Sequence, residues 1–170
     1  MGHCRFEVMT EAYLPQVLEI YNYYILNSTA TFHYHPLTLA EMREILFFED
    51  PKYTSYAILD DDELCGYCIL CPFKKREAYN ISAEITVYLK PGATGKGLGG
   101  EAIRHIAAVA ETRGIHSLIA IICSENTASV SLFERNGYHQ CSHYREIGQK
   151  FGRLLDVVCY QKILPLQQGG

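Results

Sequence analysis

Residues 87–101 read Val87-Tyr88-Leu89-Lys90-Pro91-Gly92-Ala93-Thr94-Gly95-Lys96-Gly97-Leu98-Gly99-Gly100-Glu101. Pro91 ends an alternating, strand-like segment, and four glycines stand at 95, 97, 99 and 100. Glycine lets backbone N–H groups approach another molecule closely. A helical pattern begins at once, over about 98–113, and Gly114 stops it. The first N–H groups of a helix have no intrahelical partner, and the positive end of its dipole lies beside them. A glycine-rich loop feeding a helix N-terminus is an anion-binding arrangement suited to a diphosphate, with Lys96 adding charge.

Two nucleotide-binding motifs compete for this loop. A Walker A loop fails, because position 90 is Lys and Gly97 stands where Ser or Thr should follow Lys96. A dinucleotide fingerprint is met literally by Gly95, Gly97 and Gly100, with Glu125 near the place of a ribose-binding acid. The strand before it argues against that. Polar Ser82, Glu84, Thr86 and Tyr88 alternate with apolar Ala83, Ile85, Val87 and Leu89, whereas a parallel first strand is apolar on both faces. The loop also comes some 80 residues too late, with too few strand–helix repeats after it.

Around this loop the chain reads as one domain over 1–170. Hydrophobic residues are 48% and charged residues 20%, ordinary globular usage that excludes intrinsic disorder. A net charge of −4 argues against broad binding to nucleic acid or to an anionic membrane. No run approaches the roughly 20 apolar residues that span a bilayer. The start, Met-Gly-His-Cys-Arg-Phe, lacks a secretory core and places Phe6 where a myristoylation motif needs Ser or Thr. The expectation is a soluble, cytoplasmic domain.

The flanking pattern is mixed. A strand at 4–9 leads to a helix at 11–26 capped by Thr10, with Leu14, Val17, Leu18, Tyr21 and Ile25 at helical spacing. After a loop from Asn27 to Pro36, Thr38-Leu39-Ala40-Glu41 is a capping box for a second helix ending near Phe48. Strands follow at 53–59, 63–71 and 81–89, the first two forming a hairpin around Asp60-Asp61-Asp62. A strand at 116–123, a helix at 127–136 stopped by Gly137, and strands near 138–146 and 153–163 complete the chain. The fold class is α/β in the mixed, α+β sense: a mostly antiparallel sheet flanked by helices.

Seven dispersed cysteines fit free thiols better than a disulfide framework. Cys65-Gly66-Tyr67-Cys68-Ile69-Leu70-Cys71-Pro72 mimics a metal motif. In a regular strand, however, Cys65 and Cys71 point one way and Cys68 the other, so buried thiols are expected and no metal. His33 and His35 find no third ligand and read as solvated loop residues.

Thr94-Gly95-Lys96-Gly97-Leu98-Gly99 resembles the [Q/R]-x-x-G-x-[G/A] loop by which GNAT N-acetyltransferases bind acetyl-CoA, with Thr94 in place of Gln or Arg. Asn126-Thr127-Ala128-Ser129-Val130-Ser131-Leu132-Phe133-Glu134-Arg135-Asn136-Gly137-Tyr138 resembles that family's second block. Segments 22–38, 66–79, 84–88 and 145–158 are similar to its phosphinothricin N-acetyltransferase-like branch.

The resemblance implies a GNAT-type fold and direct transfer of acetyl from acetyl-CoA to the amine of a small amino acid, such as phosphinothricin or methionine sulfoximine or sulfone, in a ternary complex. An amine is mostly protonated near neutral pH, so a base must remove a proton. Glu84 is the candidate, three residues before Val87, whose N–H would polarise the thioester carbonyl. By the same resemblance, Val87, Tyr88 and Leu89 pair with the pantetheine arm. Thr94 through Gly100 (including Lys96, Leu98 and Gly99) cradle the pyrophosphate, and Asn126, Ser129 and Phe133 complete the donor site. Asn126 is equally a good helix N-cap. Phe133 replaces the Tyr or His expected there and cannot protonate the thiolate, so no general acid is named. Substrate residues would be Phe32, Arg76, Tyr79, Glu84 and Thr86. The resemblance also implies a homodimer. Two other functions stay open, a protein or peptide N-acetyltransferase and a catalytically silent CoA-binding module.

Overall fold

A computed structural model describes residues 3–166; the myristoylation reading of Met1 and Gly2 lies outside them. The elements follow in the order β1 (Cys4–Val8), α1 (Leu14–Asn27), α2 (Leu39–Leu46), β2 (Thr54–Asp60), β3 (Glu63–Pro72), a short 3-10 turn (Glu77–Tyr79), β4 (Ser82–Leu89), α3 (Leu98–Thr112), β5 (Ser117–Cys123), α4 (Thr127–Arg135), β6 (His139–Lys150) and β7 (Arg153–Ile163). The strands form one sheet ordered β1-β2-β3-β4-β5-β7-β6. Only β4 and β5 run parallel; every other neighbouring pair is antiparallel. The expected mixed sheet flanked by helices is what forms.

Alternation along the strands builds two cores. On one face Ile58, Cys68, Leu70, Ala83 and Ile85 pack with Ile103 and Ile106 of α3 and Phe133 of α4. On the other, Ala57, Tyr67 and Ile69 pack with Leu14, Val17 and Tyr21 of α1 and Met42 of α2. Thr38 closes a full capping box, its hydroxyl accepting from the Glu41 N–H while the Glu41 carboxylate accepts from the Thr38 N–H.

The structure corrects four local expectations. Thr10 does not cap α1: residues 11–13 form a turn, and the helix opens at Leu14 with Pro15 in its first turn, where a missing N–H costs nothing. The second helix ends at Leu46 rather than near Phe48, and β6 runs on to Lys150. The faces of the cysteines also differ. Ile58 pairs with Gly66 and Leu59 with Leu64, so Cys65 is the extra residue of a β-bulge. The bulge turns Cys65 towards Leu98 and Ala93 on the α3 side, the side of Cys68, while Cys71 packs on the α1 side. The three thiols still do not share one face. Burial pushes the Cys71 thiol up to about 12, with the neighbouring Glu84 carboxylate adding to the shift.

Ile106 is fully buried beneath the sheet. Ile106→Ala should lower the unfolding free energy by about 2–5 kcal/mol, whereas the same change at exposed Ile163 should stay within about 0.5 kcal/mol. Urea denaturation of the two variants checks this.

Candidate active site

The parallel pairing of β4 with β5 covers Ser82–Glu84 against Ser117–Ile119 and then stops. Beyond that point the strands part. The β5 side of β4 from Ile85 to Leu89 has no strand partner, and the gap opens into a cavity of about 980 Å³ that reaches both faces of the sheet. Buried backbone polar groups need partners, so an unpaired strand edge in such a slot is suited to an extended ligand.

Glu84 stands at the vertex, opposite Ile119 on β5 and Cys71 on β3. It is half-buried in the cavity wall, and desolvation raises its carboxyl above the ordinary glutamate range. Thr86 and Tyr88 continue the same face. The Tyr88 hydroxyl donates to Ala30 O at 3.0 Å, and the Tyr24 hydroxyl donates to Leu89 O at 2.5 Å. Val87 and Leu89 point to the α3 side and also line the cavity.

At the far end of β4 the glycine loop turns into α3. No backbone carbonyl accepts from the N–H groups of Thr94 through Gly100 among the described residues; the first such bond is Glu101 N–H to Gly97 O at 3.1 Å. Gly95 and Gly97 have φ of +79° and +84°, and a Cβ on either would meet nothing within 4 Å. Their conformation requires glycine, and the space above them is open for an anion. Gly99 has a different task. A Cβ there would come within 2.8 Å of Leu132 Cδ2, so it lets α3 and α4 pack closely. Thr94, Gly95, Gly97, Gly99 and Gly100 line the cavity; exposed Lys96 does not, and Leu98 is buried with Cys65 and Ala93.

Asn126, three residues beyond β5, caps α4 by accepting from the Ser129 N–H at 3.2 Å. The cap uses the side-chain oxygen and leaves the amide NH2 available to a ligand, so the two readings of Asn126 are compatible. Asn126, Ser129 and Phe133 all line the cavity, with Phe133 buried edge-on to Tyr138 at 5.0 Å. Phe32 lines the cavity, its ring filling the space above Gly148. Arg76 and Tyr79 are not brought to the cavity. Arg76 is exposed, and Tyr79 packs edge-on to Phe73 beneath Lys74.

Sequence reasoning missed Tyr21, Tyr24, Thr31 and Arg135, all of which line the cavity. Tyr21 was legible only as a core position of α1. Its hydroxyl bonds Thr31 Oγ1 and His33 Nδ1, each at 2.7 Å, which gives His33 a protein partner. Arg135 lies four residues after Ser131 on α4, a helical spacing that could have flagged it.

Comparison with known proteins agrees with this geometry. Residues 17–138 match the Acetyltransferase (GNAT) family. A phosphinothricin N-acetyltransferase of Streptomyces coelicolor is 34% identical over 89% of this chain and 91% of that protein. An L-methionine sulfoximine/L-methionine sulfone acetyltransferase of Pseudomonas aeruginosa is 32% identical over 87% of each. Among solved structures, a phosphinothricin acetyltransferase from Sinorhizobium meliloti in complex with AcCoA superposes with a TM-score of 0.90 at 28% identity, over 95% of this chain and 88% of that one. A ribosomal-protein-alanine N-acetyltransferase from Brucella melitensis superposes with a TM-score of 0.85 at 31% identity, over 94% and 99%. A family match across most of the chain, on a fold whose two parallel strands part beside a glycine loop, makes this protein a member of the GNAT acetyltransferase family and an acetyl-transferring enzyme.

Proposed function

We propose that the enzyme transfers acetyl from acetyl-CoA to the amine of a small amino acid of the phosphinothricin or methionine sulfoximine type, by direct attack in a ternary complex. The observation that carries this is the position of Glu84. A partly desolvated carboxylate stands at the vertex of an open strand pair, with a glycine cradle leading into α3 beyond β4 and a cluster of tyrosines on the α1 side of the cavity.

In this account the pantetheine arm lies along Val87, Tyr88 and Leu89, donating to and accepting from the unpaired β4 edge. The pyrophosphate meets the free N–H groups from Thr94 to Gly100, with Lys96 contributing only long-range charge from outside the cavity. Asn126 donates its amide to the arm, and Ser129 and Phe133 close the α4 side. Glu84 takes the amine proton directly or through one water, and a raised pKa suits that task near neutral pH. The lone pair then attacks the thioester carbon, and the Val87 N–H holds the developing oxyanion. The C–S bond breaks and the thiolate departs. Phe133 offers it no proton; the acylated nitrogen gives up its second proton to solvent, and solvent protonates the thiolate.

Thr86 and Phe32 border the amine chamber. Arg76 and Tyr79 take part only if the 73–80 segment is brought to a cavity mouth, which fits a role at a homodimer interface. That dimer, and a cytoplasmic location, belong to the same proposal. The ribosomal-protein-alanine N-acetyltransferase likeness favours one second reading, acetylation of a peptide N-terminus.

Release of CoA thiol should be seen with phosphinothricin, methionine sulfoximine and methionine sulfone, and should be near background with an alanine-terminated peptide. Turnover of the peptide alone would overturn the substrate class and keep the chemistry. Glu84→Gln should lower kcat at least a hundredfold with acetyl-CoA affinity unchanged. Because Glu84 must be ionised to act, kcat/KM should rise with pH through an acidic limb lying above the ordinary glutamate value, and the variant should lose that limb. Gly97→Val should weaken acetyl-CoA binding about tenfold or more, measured by calorimetry. Gly92→Ala, at an equally left-handed but open position outside the cavity, controls for backbone strain and should bind normally.

A further inference from the structure

The loop over 28–34, between α1 and α2, supplies Ala30, Thr31 and Phe32 to the cavity wall. It has no helix or strand of its own, so side chains from distant elements must order it. Two attachments come from the ends of the β6–β7 turn. Lys150, buried at the end of β6, donates from Nζ to Ser28 O and Thr31 O at 2.7 Å each. Arg153, at the start of β7, reaches the other way and grips Glu125 with both guanidinium arms, at 2.9 and 3.0 Å.

Glu125 joins these parts. Its Oε1 also accepts from Thr29 Oγ1 at 2.6 Å, a bond that spans 96 residues of chain. The next residue is Asn126, which caps α4 and lines the opposite, acyl-donor side of the cavity. One carboxylate therefore ties the substrate-side loop, β7 and the entrance of α4 together. The paired guanidinium, followed by the Thr29 hydroxyl, holds this carboxyl down at about 2, so it stays charged through any assay pH.

We propose that Thr29, Glu125 and Arg153 are positioning residues for the reaction, a clamp that fixes the amine-side wall against the acyl-donor side and so sets the affinity for the amine. The proposal rests on the assignment of the cavity to an amine and acetyl-CoA. None of the three lines the cavity, so they act through the loop and not on substrate. The ion pair is solvent-exposed, and exposed pairs add little to global stability. Its loss should therefore loosen one wall without unfolding the domain.

Thr29→Val removes the hydroxyl at nearly constant volume, Thr29→Ser keeps it, and Arg153→Met removes the guanidinium fork. Steady-state kinetics with methionine sulfone should show the amine KM raised about fivefold to tenfold in the Val and Met variants, the effect of one ordinary hydrogen bond lost at a partly solvent-exposed site. The acetyl-CoA KM should stay within about twofold, and Thr29→Ser should match the wild type. The Thr29→Val/Arg153→Met double variant should be no worse than the more impaired single one, since both changes act through Glu125. Amide exchange at residues 29–33 should quicken in both single variants. An unchanged amine KM with unchanged loop exchange would overturn the clamp, as would equal rises in both KM values. If the wild type acetylates no small amino acid, the substrate assignment fails, and loop exchange decides the clamp alone: faster supports it, unchanged overturns it.

Discussion

Everything at the site depends on two parallel strands that stay together for three residues and then part. While β4 and β5 pair, from Ser82–Ser117 to Glu84–Ile119, they are an ordinary piece of sheet held between two cores. Past Glu84, the β4 backbone has lost one neighbour and must find hydrogen-bond partners elsewhere. The chain ends of both strands lead to ligand-seeking features, the glycine loop after β4 and Asn126 after β5. This follows the general rule that α/β sheets bind ligands beyond the carboxyl ends of parallel strands.

The same geometry separates charges and roles. The glycine cradle lies at the positive end of α3, where an anion is stabilised. Glu84 sits at the closed end of the gap, where neighbouring strands shield it from water and favour its neutral form. A carboxylate and a bound anion would repel each other if close; Glu84 and the glycine loop stand at opposite ends of the cavity-lining part of β4. Phe133 gives the cavity an apolar wall on the α4 side.

Local chemistry made much of this legible in the sequence. Alternation from Ser82 to Leu89 assigned the faces of β4, the four glycines marked the cradle, and Thr38 with Glu41 announced α2. The failures were of two kinds. Cys65 changed face because a bulge breaks strand parity, and nothing in an apolar run reveals an extra residue. Thr10 offered a cap, but residues 11–13 form a turn and the helix opens later, with Tyr13 at the cap position and Pro15 suited to the first turn. Non-local contacts formed the second kind. The parting of β4 from β5, the clamp between Thr29 and Glu125, and Lys150 beneath the loop join residues far apart in the chain, and no periodicity encodes them. Arg76 illustrates the limit of resemblance: its identity matches the family branch, while its place on an exposed turn does not bring it to the cavity.

The central claim is that the unpaired edge of β4 receives the acyl donor as though it were an added strand. Amide hydrogen exchange of the β4 N–H groups, with and without acetyl-CoA, tests it most directly. The account predicts that saturating acetyl-CoA slows exchange within Ile85–Leu89 as well as within Thr94–Gly100, while Ser82 and Ala83, already paired with β5, change little. Protection confined to the glycine loop, with Ile85–Leu89 unaffected, would show that the donor does not lie along the strand and would contradict the account.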